Sequence, residues 1–140
     1  MSYLDWQSRF SIGIEEIDTQ HKKIIEMINH LDQSRFDGSF GSEVNVVLVQ
    51  LVKYSMEHFK YEEELMVKLK YPEFEKHREL HSELTDQIAV LLRRLKQGYN
   101  INAYEIISIL KTWIIDHISK EDRKFGKHVQ LLSEKEKIRS

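Results

Sequence analysis

Apolar residues return along this chain at steps of three and four, the spacing of one face of an α-helix. The longest such stretch carries Val44, Val47, Leu48, Leu51, Leu65, Met66 and Leu69. A shorter stripe runs Ile17, His21, Ile24, Ile28, Leu31, and another runs Phe74, His77, His81, Leu84, Ile88, Leu91, Leu95. The latter alternates three and four in the manner of an antiparallel bundle seam. A fourth face carries Ile106, Leu110, Trp113 and His117. No stretch of any length alternates with the period of two that a strand requires, so the pattern predicts an all-α chain.

Turn and capping signals place the boundaries. Helices are expected over about residues 18–36, 42–70, 74–97 and 103–122, with a short helical segment and tail over 123–140. Residues 1–17 hold Trp6, Phe10, Ile12, Gly13, Ile14 and Ile17 without helical period, which predicts an ordered N-terminal arm laid on the domain. Asp18 or Thr19 is the expected cap of the first helix. The glycines and serines between Phe36 and Ser42 read as a loop. Tyr71-Pro72 ends the second helix, because a residue before proline is pushed out of the helical region. Gly98-Tyr99-Asn100 stops the third. The charged tail from Ser133 to Ser140 is expected to fray. Four helices with short connections predict an up-down-up-down antiparallel four-helix bundle, one domain over residues 1–140.

The fourth stripe has a fault. After His117 the regular step falls on Glu121, yet it is Asp122 that keeps register with Phe125, Val129 and Leu132. Five residues turn a regular helix by about 500°, leaving the two side chains about 140° apart. If both face inward, the helix is locally widened as a π-bulge or ends there.

Polar residues interrupt every stripe. His58 and Glu62 lie one turn apart at the steps Leu51, Ser55, His58, Glu62, Leu65, Leu69, so both project into the core. A buried carboxylate is costly unless paired, hydrogen-bonded or bound to a metal. With His21, His77, His81, His117 and Asp122 they make seven core-facing polar residues from four helices. A metal-free hydrogen-bonded layer would have to find partners for several imidazoles in a dry core. A metal site is the other reading. Seven ligands are too many for one zinc, usually four-coordinate. They suit two six-coordinate-type ions sharing carboxylates, with iron ahead of zinc, copper and manganese for imidazole and carboxylate donors. His30 and His128 lie off the stripes and read as surface residues.

Composition narrows the chemistry. The chain has 140 residues, no cysteine and 7 histidines, so a transition-metal site must use nitrogen and oxygen donors, and a disulfide or a cysteine nucleophile is excluded. A net charge of -2 with interspersed signs leaves no face loaded for nucleic acid. The N-terminus lacks the regions of a signal peptide, and no run approaches the roughly 20 apolar residues of a membrane span. A cytoplasmic protein without membrane insertion is therefore expected.

The pieces Ile17-Asp18-Thr19-Gln20-His21-Lys22, His58-Phe59 with Glu62-Glu63, Tyr71-Pro72 before His77 and His81, and Trp113 with His117-Ile118 and Asp122 resemble the hemerythrin family, specifically the bacterial hemerythrins. The likeness spans nearly the whole chain, and the family's up-and-down bundle is a familiar instance of the topology. The resemblance implies two iron ions in an oxo- or hydroxo-bridged, non-haem centre. His77, His81 and His117 would hold one ion, His21 and His58 the other, with Glu62 and Asp122 bridging. It further implies that O2 binds end-on at the open position of the second iron, walled by Ile24, Phe59, Trp113, Ile114 and Ile118. The sequence departs from the family's common pattern at Phe125, where tyrosine is usual, and at Leu84, where phenylalanine is usual. Neither departure touches a ligand; both bear on outer hydrogen bonding and packing.

The donor set suggests what such a site does. Five imidazoles and only two carboxylates place little negative charge on the metals, whereas oxygen-activating sites of the ferritin-like class use about four carboxylates. No core position supplies a spare acid or base, and no nucleophile is poised nearby. Reversible O2 binding (carriage, storage or delivery) is expected, and an enzyme is not. Azide and NO are further expected ligands, and the protein recipient of O2 is not legible. The alternatives are an O2- or redox-sensing module, made less favoured by the lack of an output domain, and a minor peroxidase or NO-handling activity at the same centre.

Overall fold

The first helix begins earlier than its expected cap. In the computed structural model, which describes residues 5–99 and 101–139, α1 spans Glu15–Asp37, with Ile14 at its N-cap and no side-chain cap. Asp18 already lies inside the helix, its N–H bonded to the Ile14 carbonyl at 2.9 Å. Its carboxylate turns back to the arm, accepting from the Ser11 hydroxyl at 2.6 Å and the Ile12 N–H at 2.9 Å. The residue expected to cap α1 therefore ties the arm down. Thr19 is exposed and follows it inside the helix. Glu15, Glu16 and Asp18 place negative charge in the first turn, where the helix dipole favours it.

The remaining boundaries follow local chemistry. Gly38 closes α1 in the left-handed conformation (φ 83°), and the expected loop shrinks to Gly38-Ser39 before α2, Phe40–Lys68. Lys70 turns left-handed (φ 54°) ahead of Tyr71-Pro72, and α3 spans Phe74–Lys96. Gly98 (φ 86°) terminates it; Asn100, part of the expected stop, lies outside the described residues, as do Met1 to Leu4 of the arm. Asn102 caps α4, Ala103–Asp116, by accepting from the Tyr104 N–H at 2.7 Å. A π-helical segment, His117–Asp122, continues directly into α5, Arg123–Arg139. The tail expected to fray is helical through Arg139.

The helices form the four-helix bundle, the fourth rod being α4, the π segment and α5 in line. α1 packs on α2 and α4, α2 packs on α3, and the short turn Ser8–Phe10 of the arm lies against the π segment. The core divides into two apolar clusters. The larger includes Ile24, Ile28, Leu31, Leu48, Leu51, Ile88, Leu91, Ile106, Leu110 and Ile114. The smaller comprises Ile12, Ile17, Met66, Tyr71 and Phe125, with Leu65, Leu69, Phe74 and Val129 packed on it. Each helix crosses from one cluster to the other at its inward polar residues: between Ile17 and Ile24, Phe59 and Met66, Phe74 and Ile88, Ile118 and Phe125. The histidine–carboxylate layer therefore lies between two dry compartments.

Two further contacts hold this frame. A Cβ built on Gly126 would fall 2.9 Å from the Ile12 Cβ and closer still to its carbonyl, so the arm crosses α5 where only glycine leaves room. Within the bundle, buried Asp32 on α1 pairs with Lys111 of α4 at 2.8 Å and with Arg35 at 2.6 Å. That pairing links α1 to α4, and charge composition alone does not reveal it. Among the described residues, no helix is long and apolar enough to cross a membrane.

Candidate metal centre

The π segment decides whether the layer closes. Its i to i+5 bonding widens the turn, so His117 at its start and Asp122 at its end both reach the core, 7% and 0% exposed. The five-residue step in the stripe is thus accommodated by widening and not by a helix end. His21 sits in the second turn of α1, His58 and Glu62 one turn apart on α2, and His77 and His81 one turn apart on α3. All seven are buried.

Their atoms sort into two groups. Glu62 presents Oε1 to His77 Nε2 at 2.9 Å and to His81 Nε2 at 3.4 Å. Its Oε2 faces His58 Nε2 at 3.0 Å and His21 Nε2 at 3.7 Å. Asp122 divides in the same sense, with Oδ1 toward His77 at 2.8 Å and His117 at 3.0 Å, and Oδ2 toward His21 at 2.9 Å. One group therefore holds three imidazoles and the other two, and both carboxylates belong to each. Every sequence-predicted ligand is in the cluster.

Apart from the hydrogen bond of His77 Nε2 with Glu62 Oε1 at 2.9 Å, much of this proximity is not hydrogen bonding. His21 Nδ1 and Nε2, His58 Nε2, Glu62 Oε2 and both Asp122 oxygens are buried without a hydrogen-bond partner, although several lie about 3 Å from an opposite charge. The ligand atoms of each group nevertheless all lie within 4.8 Å of one another. His81 and His117 bring their Nε2 atoms to 2.9 Å, where one proton at most can serve both. Orphaned donors in a dry layer are expensive. A cation in each group would satisfy all of these atoms except His21 Nδ1, so the inward donors fit a pair of metal ions.

Without a metal the carboxylates set the protonation. Burial works to lower the histidine pKa values, but the close approach and charge of Asp122 and Glu62 outweigh it and raise His21 to about 9 and His77 to about 10. His81 is raised by Glu62 and Glu63 against the same burial. Burial opposes ionisation of Glu62 and Asp122, yet the surrounding histidines hold both below the usual carboxylate range.

Two outer partners were not legible as such. Gln20 Oε1 lies 2.5 Å from His58 Nδ1, and Glu63 Oε2 lies 2.9 Å from His81 Nδ1. Each is one residue from an inward position and so stands about 100° off its stripe, where a periodicity reading sees only a flank. A polar residue adjacent to an inward ligand was the available signal in the sequence.

The five apolar residues expected to wall the site, Ile24, Phe59, Trp113, Ile114 and Ile118, all fall in the larger cluster. Phe59 stacks on His81 (3.9 Å, 8°) and approaches His58 at 5.6 Å, leaning toward the three-histidine group. Trp113 meets the Phe59 ring edge-on, and its buried Nε1 has no partner. Grooves flank α3. One of about 830 Å³ reaches Phe59, Glu63 and His81, and one of about 540 Å³ reaches Leu84, Trp113 and His117. Leu84, where the family commonly has phenylalanine, lines the second. Phe125 is fully buried on Tyr71, whose hydroxyl donates to Glu73 at 3.2 Å.

Of the two histidines expected at the surface, His30 is exposed near Glu43. His128 is not: half-buried, it donates from Nε2 to the Leu69 carbonyl at 3.0 Å and packs on Tyr71. It satisfies an end of α2, and residue spacing along α5 does not reveal a partner so distant in sequence.

The hemerythrin HHE cation binding domain profile matches residues 12–129. A bacteriohemerythrin of Stenotrophomonas maltophilia is 35% identical over 130 residues, 93% of this chain and 84% of that protein. A hemerythrin-like protein of Naegleria gruberi is 31% identical, covering 89% of this chain and 92% of its own. The crystal structure of wild-type hemerythrin superposes with a TM-score of 0.81 at 30% identity, over 90% of this chain and 97% of that one.

Proposed function

The chain belongs to the hemerythrin family, and from that premise we propose that it binds O2 reversibly at a di-iron centre. The observation that carries this reading is the division of both carboxylates, oxygen by oxygen, between a three-histidine and a two-histidine group. His77, His81 and His117 are the proposed ligands of one iron and His21 and His58 of the other, with Glu62 and Asp122 shared. When bound, the iron pair supplies the electrons and, at the two-histidine position, the vacant site for O2.

The chain supplies everything else. Glu62 and Asp122, each shared between the two groups, would hold both ions and offset part of their charge. Ile24, Ile114, Ile118, Phe59 and Trp113 form an apolar wall that keeps water from a bound ligand, and Trp113 Nε1 is a spare donor on it. With five neutral imidazoles against two carboxylates, the donors push little electron density toward the metals. That balance favours holding O2 over cleaving it. We therefore read the protein as a carrier or store of O2, with azide and NO as competing ligands.

Reduced, iron-loaded protein exposed to air tests the proposal. A visible oxy band that forms in air and disappears under argon over repeated cycles is the expected result. Immediate conversion to the oxidised form with release of peroxide would overturn reversible carriage and favour a redox or sensing role.

A further inference from the structure

Behind the inward-facing nitrogens, His81 and His58 turn their Nδ1 atoms to acceptors of different charge. His81 Nδ1 donates to the Glu63 carboxylate at 2.9 Å, and His58 Nδ1 donates to the Gln20 amide oxygen at 2.5 Å. The two histidines belong to different groups: His81 with His77 and His117, His58 with His21. Phe59, flat on His81 at 3.9 Å, fixes the plane of that ring so that its Nδ1 stays aimed at Glu63. Both rings are buried, so neither interaction is diluted by water at the imidazole.

An imidazole whose outer N–H is given to a carboxylate gains basicity at its other nitrogen. Donation to a neutral amide does this less, because charge-assisted hydrogen bonds are roughly twice as strong as neutral ones. We propose that Glu63 and Gln20 are positioning residues that set the two metal positions apart electronically. The carboxylate behind His81 makes the three-histidine position the stronger donor, and the amide behind His58 leaves the two-histidine position electron-poor. Iron held at the three-histidine position would therefore be the easier of the two to oxidise. This rests on the proposed function, which assigns His81 and His58 to separate ions.

The experiment uses the full, iron-loaded chain and the variants Glu63→Gln, Glu63→Asp and Gln20→Glu, with iron content and midpoint potential read on each. Glu63→Gln is expected to raise the potential and Gln20→Glu to lower it, at unchanged iron content, while Glu63→Asp restores most of the original value. An unmoved potential in fully loaded Glu63→Gln overturns the proposal, as does a shift of the same sign in Glu63→Gln and Gln20→Glu. Failure of the unsubstituted chain to load iron would instead overturn the proposed function. A Glu63→Gln variant that does not load iron is read by 15N NMR of the metal-free protein. There the His81 Nδ1–H resonance is expected to move relative to the unsubstituted chain, and an unmoved resonance overturns the proposal.

Discussion

Glu62 is fully buried, and its two oxygens face four imidazoles on three helices. A lone carboxylate at that depth would be neutralised; this one is held ionised by its neighbours. Glu62→Ala removes one shared carboxylate from both groups. We expect iron to fall from about two ions per chain, the count a two-metal site holds, to less than one, with helical circular dichroism retained. Full iron loading in that variant, measured by metal analysis, would sink the bridging assignment. At this scale the inward residues were readable because each stands in an apolar stripe. Gln20 and Glu63 were not, since their roles depend on which neighbouring helix lies beside the flank they occupy.

The π segment is a one-element solution to a register problem. Asp122 must share a face with both His117 and Phe125, and a regular helix cannot supply that. Deleting Ser119, which is half-buried within the segment, should let the rod close as a regular helix. Asp122 would then stand four residues after His117, on the regular step, with Phe125 three beyond it, so both would keep the inward face. The expected outcome is retention of most of the iron with far-ultraviolet circular dichroism almost unchanged; loss of iron would refute the account of the wide turn as a correction of register. The arm poses a packing problem of a different kind. Gly126→Ala presses a methyl group onto the Ile12 carbonyl and should cost about 1–3 kcal/mol, the usual penalty for overpacking, in urea denaturation. Gly41→Ala, on an open face of α2, should instead be stabilising by about 0.5–1 kcal/mol, which separates crowding from backbone entropy. Equal effects of the two substitutions would sink this account of the arm. The π segment was legible as a break in periodicity. The close approach at Gly126 was not, because glycine within a helix carries no sign of what crosses it.

Across the whole molecule, the polar layer makes metal-free stability depend on pH in a defined direction. His21 and His77 have pKa values raised to about 9 and about 10, so their contribution is complete below the ordinary imidazole value of about 6.5 and is lost as pH climbs through 9 and 10. Glu62 and Asp122 have lowered values, so their contribution is present above about pH 4 and is lost as pH falls below it. The metal-free protein is therefore expected to be most stable between about pH 4.5 and 6.5, as denaturant midpoints across pH would show. Stability that rises steadily through pH 9 would contradict it. Metal must displace these protons, so metal uptake should strengthen with pH over the same alkaline range. By itself the sequence determined the bundle and the seven inward polar residues, because helical periodicity maps linear spacing directly onto a face. It also located the fault between His117 and Asp122, though not whether the helix widens or ends there. The tertiary structure alone decided which oxygen of Glu62 and Asp122 faces which histidine, what stands behind His58 and His81, and why Asp18 and His128 serve distant backbone. Those are properties of neighbouring helices and the arm, and no period within one helix carries the position of another.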